Sequence, residues 1–201
     1  MRTHPSLHPQ DFTPIWTRRG NVRLQPLWNP EDAQALRSAL RTTPHTLQAG
    51  LPEDPLRYQY WTATWNRDDA PLPALAELHR WIEQELRVLA EQISGMRLLS
   101  PPDGLVMSVL YGRGCYLDAH NDADGQRAVA YVLGLTDDRW PAEEGGHLEF
   151  FRQDRVVERR PPGWNSLDLF HVEHHRSFVH QVPMVTTHRE RRVIAGWFHR
   201  A

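Results

Sequence analysis

Apolar and polar positions follow two different periods along this chain, and the change falls near Ser100-Pro101-Pro102-Asp103-Gly104. Before it, helical spacing dominates. Leu75, Leu78, Trp81, Ile82, Leu86, Leu89 and Ile93 fall on one helical face, which predicts a helix over 72–94 that stops at Gly95. A second helix is predicted after Asn29-Pro30-Glu31-Asp32 and should run to about Arg41. That tetrapeptide offers a cap, a proline at the first helical position and acids in the first turn. Between the two, the aromatic and β-branched run 58–65 predicts a strand, and 22–25 is a further candidate.

After the change, short strand-like runs follow one another at 105–111, 116–122, 127–135, 147–151, 155–158, 166–172, 178–182 and 192–198. Turn residues such as Gly112-Arg113-Gly114 and Pro161-Pro162-Gly163 separate them. This spacing predicts a sandwich or barrel. The expected fold is mainly β with a helical annex. A jelly roll, or double-stranded β-helix, is the natural candidate, because it closes most sheet edges and leaves a mouth that can hold a metal. The helices would pack on its outer face. The 201 residues suit one domain, with 1–100 as a helical support region carrying a few strands and 101–201 as the jelly-roll core.

Composition narrows the chemistry. Apolar residues make up 40% and charged residues 24%, with a net charge of −2, so no nucleic-acid or membrane footprint is expected. No run approaches the roughly 18 apolar residues of a membrane helix, and the first ten residues show no apolar leader core. A single cysteine, Cys115, excludes an internal disulfide and fits a reducing compartment, with the cytoplasm as the expected location. A monomer or homodimer is the expected state. All 23 basic residues are arginine, so any cation that clamps a carboxylate must be one. Twelve histidines raise the question of a metal site, although scattered surface histidines are the commoner explanation.

Spacing answers that question in part. In His120-Asn121-Asp122, strand alternation would turn the imidazole and the carboxylate to one face. Two histidines and one carboxylate on one face of a metal leave three positions open, the arrangement of non-haem iron(II) oxygenases. His171, His174, His175, His180 and His188 are available as the third ligand. His180 is preferred because Phe178-Val179 and Val182 flank it with apolar residues, and His171 comes next. Further on, Arg191, Val193, Ala195 and Trp197 share one strand face. If that face looks inward, Arg191 is a buried cation, which calls for an anionic partner. A guanidinium matches a carboxylate in bidentate fashion. The competing reading is a solvated basic turn of Arg189, Arg191 and Arg192.

These segments resemble the prolyl 4-hydroxylase-like iron(II)/2-oxoglutarate dioxygenases. The likeness runs in order through 111–122, Arg127 to Leu133, Trp140, Glu144-Gly145-Gly146-His147-Leu148-Glu149-Phe150, 162–170, His180-Gln181-Val182, and Arg191 with Trp197 six residues on. It covers roughly 105–199 and is most similar in flavour to the ribosomal-protein prolyl hydroxylases, on the strength of 177–182 and the ending Gly196-Trp197-Phe198-His199.

The resemblance implies iron(II) held by His120, Asp122 and His180. It also implies 2-oxoglutarate as co-substrate with its far carboxylate on Arg191, dioxygen as oxidant, and stimulation by ascorbate. The implied reaction hydroxylates a substrate C–H bond while 2-oxoglutarate is converted to succinate and carbon dioxide. Arg127 falls where relatives keep an arginine near the substrate. Two positions depart from the pattern. Gly134 stands where relatives usually have a tyrosine that helps hold the co-substrate, and Ala195 stands where they often have serine or threonine. Tyr111, Ser108 and Tyr131, in that order, are the candidates to replace the lost donor, although Tyr131 has the wrong parity relative to Gly134. The substrate is expected to be a prolyl residue of a protein. A free amino acid or natural product is the alternative. A non-redox cupin-like metal protein and a non-catalytic scaffold are the more distant readings.

Overall fold

The computed structural model describes residues 1–136, 139–172 and 179–201, so His174 and His175 lie outside the described residues. Among the described residues there are four α-helices, a π-helical turn, a 3-10 turn (Ala142–Glu144) and twelve strands. All four α-helices belong to the first half together with the π-helical turn: α1 (Pro9–Arg19), α2 (Pro30–Thr42), α3 (Pro73–Trp81), the turn Ile82–Leu86, and then α4 (Arg87–Ser94). The predicted helix over 72–94 is therefore one helical run interrupted by a π turn, and all seven residues of its apolar stripe are buried. Gly95 ends it in the left-handed conformation, φ 72°. α1 was not legible from the pattern. Pro14 sits inside it and argues against a helix on sequence grounds, and Trp16 is its one buried residue.

The strands are β1 (Asn21–Leu24), β2 (Thr46–Ala49), β3 (Tyr58–Trp65), β4 (Leu98–Leu99), β5 (Val106–Tyr111), β6 (Tyr116–His120) and β7 (Arg127–Leu135). They continue with β8 (Leu148–Arg152), β9 (Arg155–Arg160), β10 (Trp164–His171), β11 (Val179–Val182) and β12 (Arg191–Arg200). All eight strands predicted in the second half form, with ends shifted by a residue or two. The sheet order is β1-β10-β7-β12-β5-β3-β6-β11-β8-β9, and every pairing is antiparallel. β3 lies between β5 and β6, and β1 covers the edge of β10, so the first hundred residues complete the sheet as well as support it.

Alternation divides the sheet into two faces. Leu133, Leu167, Leu169, Ile194 and Phe198 point to the helices and share a core with Trp16, Trp28, Leu36, Leu75, Leu78 and Trp81. The opposite faces of β7 and β12, with β5 beside them, carry Val109, Tyr111, Val132, Val193 and Ala195 in a second, smaller cluster. The jelly-roll expectation with helices on the outer face holds. Among the described residues no helix is long and apolar enough to cross a membrane.

A buried polar network ties β1, β9 and β10 together. Asp168 accepts from Arg23 Nε (2.8 Å) and Nη2 (2.6 Å) and from Arg160 Nη1 (2.8 Å). Arg160 also donates to Asn21 (2.7 Å) and Glu158 (2.8 Å). Every charge in this group has an opposite partner, which is the condition under which such groups tolerate burial.

Candidate metal centre

β6 ends at His120, two residues before its predicted end, so strand alternation does not orient Asp122. The loop that follows turns the carboxylate back instead. Asp122 Oδ1 lies 3.3 Å from His120 Nε2, and its Oδ2 lies 3.3 Å from His180 Nε2. His180 reaches the site because β11 pairs with β6 in register His180↔His120, with the ring centres 4.3 Å apart. One ligand atom from each of the three residues falls within 4.8 Å of the others, the one such group among the described residues.

The donor set fits a transition metal. Ligands about 2.1 Å from one ion and cis to each other stand about 3 Å apart, close to the observed spacing. The outer hydrogen bonds agree. His120 Nδ1 donates to the Asp118 carbonyl at 2.9 Å, which leaves the Nε2 lone pair facing the centre. Burial opposes protonation of His120, but the hydrogen bond and charge of Asp122 outweigh it and raise the imidazole above its ordinary range. Burial likewise opposes ionisation of Asp122, yet the two histidines hold its carboxyl far below the usual carboxylate range. Phe150 and Phe170 pack around His180, with the Phe170 ring centre 4.9 Å from the imidazole.

Of the other histidines, His171 is buried against Trp16, ring centres 4.4 Å apart, in a cleft beside α1 and away from this group. His188 is exposed and lies 3.3 Å from Arg113. Neither competes with His180.

The three ligands open on a cavity of about 200 Å³ whose walls include Met107, Val109, Val132, Val193 and Ala195. Arg191 sits in it, 4% exposed, at the start of β12. The face of Arg191, Val193, Ala195 and Trp197 therefore looks inward, as the alternation predicts. Arg192 turns the other way, to the Leu40 carbonyl (3.2 Å) and Glu190 (2.6 Å). The Arg191 guanidinium stands 4.8 Å over the Tyr111 ring, while its Nε and Nη1 have no hydrogen-bond partner. Burial disfavours the charged form of Arg191, and the Tyr111 hydroxyl beside it partly restores it. Burial also pushes the Tyr111 phenol well above its ordinary range, so it stays a donor. Two unsatisfied cationic donors in an apolar cavity form a seat for an anion.

Of the three residues proposed to replace a lost donor, Tyr111 alone faces Arg191. Ser108 points to the helix side, where its hydroxyl meets His45 Nε2 at 3.0 Å. Tyr131 packs on Phe198 on that same side, as its parity predicts, with its hydroxyl over Gly196. Arg127 lies at the cavity wall, 3.9 Å over the Trp197 ring. The aromatic run 58–65 could flank the mouth or, as its composition favours, pack on the helices; the structure puts Tyr60 on the cavity wall, its ring centre 5.6 Å from that of Tyr111. The alternation of the 58–65 run contains that signal, but only the pairing of β3 with β5 and β6 turns it inward.

Comparison with known proteins agrees with this geometry. Over 111 residues, 49% of this chain, the sequence is 40% identical to the prolyl 3,4-dihydroxylase OGFOD1 of Ostreococcus tauri. The matched stretch is 21% of that relative, so the chain spans only a minor part of it. The fold is similar to that of a Pseudomonas putida prolyl-4-hydroxylase (TM-score 0.69, 21% identity, 96% of this chain and 100% of the other). It is also similar to a Trichoplax adhaerens prolyl hydroxylase in complex with a hypoxia inducible factor oxygen degradation domain peptide fragment (TM-score 0.71, 14% identity, 96% and 89%). Residues 106–199, which hold His120, Asp122, His180 and Arg191, match the model of the 2OG-Fe(II) oxygenase superfamily.

Proposed function

We propose that this protein is an iron(II)- and 2-oxoglutarate-dependent dioxygenase that hydroxylates a prolyl residue of a protein. One observation carries the chemistry: the His120, Asp122 and His180 cluster and the unsatisfied Arg191 open on the same apolar cavity. The identity to a prolyl 3,4-dihydroxylase supports the prolyl target. His120, Asp122 and His180 would hold the iron. Arg191 would take the far carboxylate of 2-oxoglutarate, with the Tyr111 hydroxyl beside it.

Bound iron supplies the activation of dioxygen, coupled to oxidation of 2-oxoglutarate to succinate and carbon dioxide, with one oxygen atom entering the substrate C–H bond. The chain's own residues set the conditions. The Asp118 carbonyl fixes the tautomer of His120, and Asp122 stays ionised against its burial. Val109, Val132 and Val193 line the cavity and would exclude water around the co-substrate. Tyr111 keeps its proton and donates it as a hydrogen bond without transferring it. Arg127 and Trp197 would meet the substrate at the cavity wall. Ascorbate would act by keeping iron reduced. The buried free thiol of Cys115 suits a cytoplasmic setting, as a monomer or homodimer.

The test compares proteins and metabolites of a lysate treated with the wild-type enzyme, iron(II) and 2-oxoglutarate against one treated with Asp122→Ala. The expected result is one or more proline-containing peptides that gain the mass of one oxygen atom only with the wild type. A gain confined to a small metabolite would move the substrate to a free amino acid or natural product. An absence of succinate formation with any extract would overturn the reading.

A further inference from the structure

On the inner face of the barrel the residues run across three strands as Ser166 on β10, Gly134 on β7 and Val193 on β12, each paired with the next. Arg191 lies on that same inner face, two residues from Val193. Ser166 is fully buried, and its hydroxyl has no hydrogen-bond partner. A Cβ on Gly134 would stand 2.4 Å from that hydroxyl, and one on Gly163 would stand 2.1 Å from it. The Ser166 hydroxyl thus occupies the space that a side chain at 134 would fill, and two glycines keep the space free for it. A buried hydroxyl without a partner destabilises the unliganded fold, so its presence calls for an acceptor.

Among the described residues no acceptor of the fold is engaged by this hydroxyl. Asp168, two residues along β10 on the same face, has Oδ1 occupied by Arg23 and Arg160 and Oδ2 by Arg23. The inner face at this end of the barrel therefore carries three orphaned groups, Ser166 Oγ and Arg191 Nε and Nη1. Each can donate a hydrogen bond, and the inner-face neighbours of Gly134, Val132 on its own strand and Val193 on β12, offer none in return.

We infer that Ser166 is a further co-substrate-binding residue, its hydroxyl donating with Arg191 to the far carboxylate of a 2-oxo dicarboxylate. This rests on the function proposed above. It explains how the site dispenses with a side chain at 134: the donor comes from the neighbouring strand. Ser166 is on a different strand from the metal ligands and from Arg127, so its effect is expected on binding of the diacid.

The experiment is anaerobic calorimetric titration of the iron(II)-loaded protein, as wild type, Ser166→Ala and Arg191→Met. Each is titrated with 2-oxoglutarate and with pyruvate, a 2-oxo acid that lacks the far carboxylate, and thermal unfolding is recorded with and without each acid. Ser166→Ala is expected to weaken 2-oxoglutarate binding about tenfold, the usual weight of one hydrogen bond to a charged group. It should leave pyruvate binding unchanged and the unliganded protein at least as stable as wild type. If Ser166→Ala binds 2-oxoglutarate like wild type while Arg191→Met loses it, the inference is overturned and the proposed function stands. If Ser166→Ala weakens both acids equally and lowers unliganded stability, the serine is structural and the inference also falls. A wild type that shows no 2-oxoglutarate binding would sink the proposed function, and this inference with it.

Discussion

Arg191 and Tyr111 face each other as paired residues of the β12–β5 ladder, with the guanidinium 4.8 Å over the ring. This contact stacks the cation on an aromatic face, with the Asp168 carboxylate as a more distant counter-charge. An incompletely paired buried charge lowers stability, and replacing it by an apolar residue of similar shape is often neutral or stabilising by about 1–4 kcal/mol. Arg191→Met should therefore leave the unliganded melting temperature unchanged or raised. The same change removes two charge-assisted donors from the co-substrate, each worth about 1.5–3 kcal/mol, so the KM for 2-oxoglutarate should rise about a hundredfold or more. Thermal melts and co-substrate titration measure the two effects separately. A variant that loses stability and keeps its KM would show that Arg191 is structural.

The ligand cluster makes a different prediction, about metal removal. Asp122 is the one carboxylate between His120 and His180, and it would neutralise part of a bound ion's charge in a largely buried site. A metal that binds the folded protein alone, present at a hundred times its Kd, stabilises it by about 2.7 kcal/mol. For a chain of this size that is a rise of roughly 5–10 °C in melting temperature. Wild type should show this rise with iron(II) or manganese(II) and lose it with a chelator. Asp122→Ala and His180→Ala should show little or none, and both should lack substrate-dependent succinate formation. His171→Ala should keep the metal response in full, since His171 packs on Trp16 beside α1.

Much of this site is legible in the sequence because strand parity is a strict rule. Arg191, Val193 and Ala195 share a face by alternation alone, and the cavity confirms it. The preference for His180 over His171 rested on apolar flanks, and its physical basis is the pairing of β11 with β6. Asp122 reached the right place for a reason the pattern does not contain, since it lies beyond the strand and is turned by a loop. Ser108 has the right chemistry but the wrong face, as its pairing with Ile194 decides. α1 escaped notice because Pro14 breaks the helical rule at a position where packing of Trp16 on His171 overrides it. The sequence pattern alone does not settle the places of Tyr60 and Ser166, for a common reason. Each matters through a neighbour on another strand, and which strands become neighbours is set by the topology of the whole sheet.

The buried Asp168 gives a pH prediction. Burial opposes its ionisation, but Arg23 and Arg160 prevail and hold its carboxyl below the ordinary value of 3.8. A carboxyl whose folded value is depressed contributes stability that is fully present above the unfolded value and is lost as pH falls toward the folded one. Stability should thus be level near neutrality and fall below about pH 5 as the unfolded chain takes up the proton first. Asp168→Asn should flatten this acid limb. At pH 7 it should also cost about 3–5 kcal/mol, because Arg160 would be left buried with only the partly exposed Glu158 as counter-charge. Denaturant melts of both proteins across the acid range would check both parts, and an unchanged slope in the variant would assign the acid limb to other carboxylates.

Arg127 should separate substrate binding from co-substrate binding. Its guanidinium lies 3.9 Å over the Trp197 ring, and its nearest anion is Asp124, at 3.7 Å and well exposed. The exposed ion pair contributes little, so stacking on the indole is the main force that fixes the side chain. An arginine held flat on an aromatic ring at a cavity wall keeps its edge donors free for a backbone carbonyl of an extended peptide. Arg127→Ala should raise the KM for a prolyl substrate by about 5- to 30-fold, the weight of roughly 1–2 kcal/mol. The Kd for 2-oxoglutarate should not change, because Arg191 and Tyr111 stand elsewhere on the cavity wall. Arg127→Lys keeps the charge and loses the planar stack, so it should recover only part of the affinity. Full recovery by lysine would mean that charge alone positions the substrate. A parallel loss of 2-oxoglutarate affinity in Arg127→Ala would instead place Arg127 in the co-substrate seat.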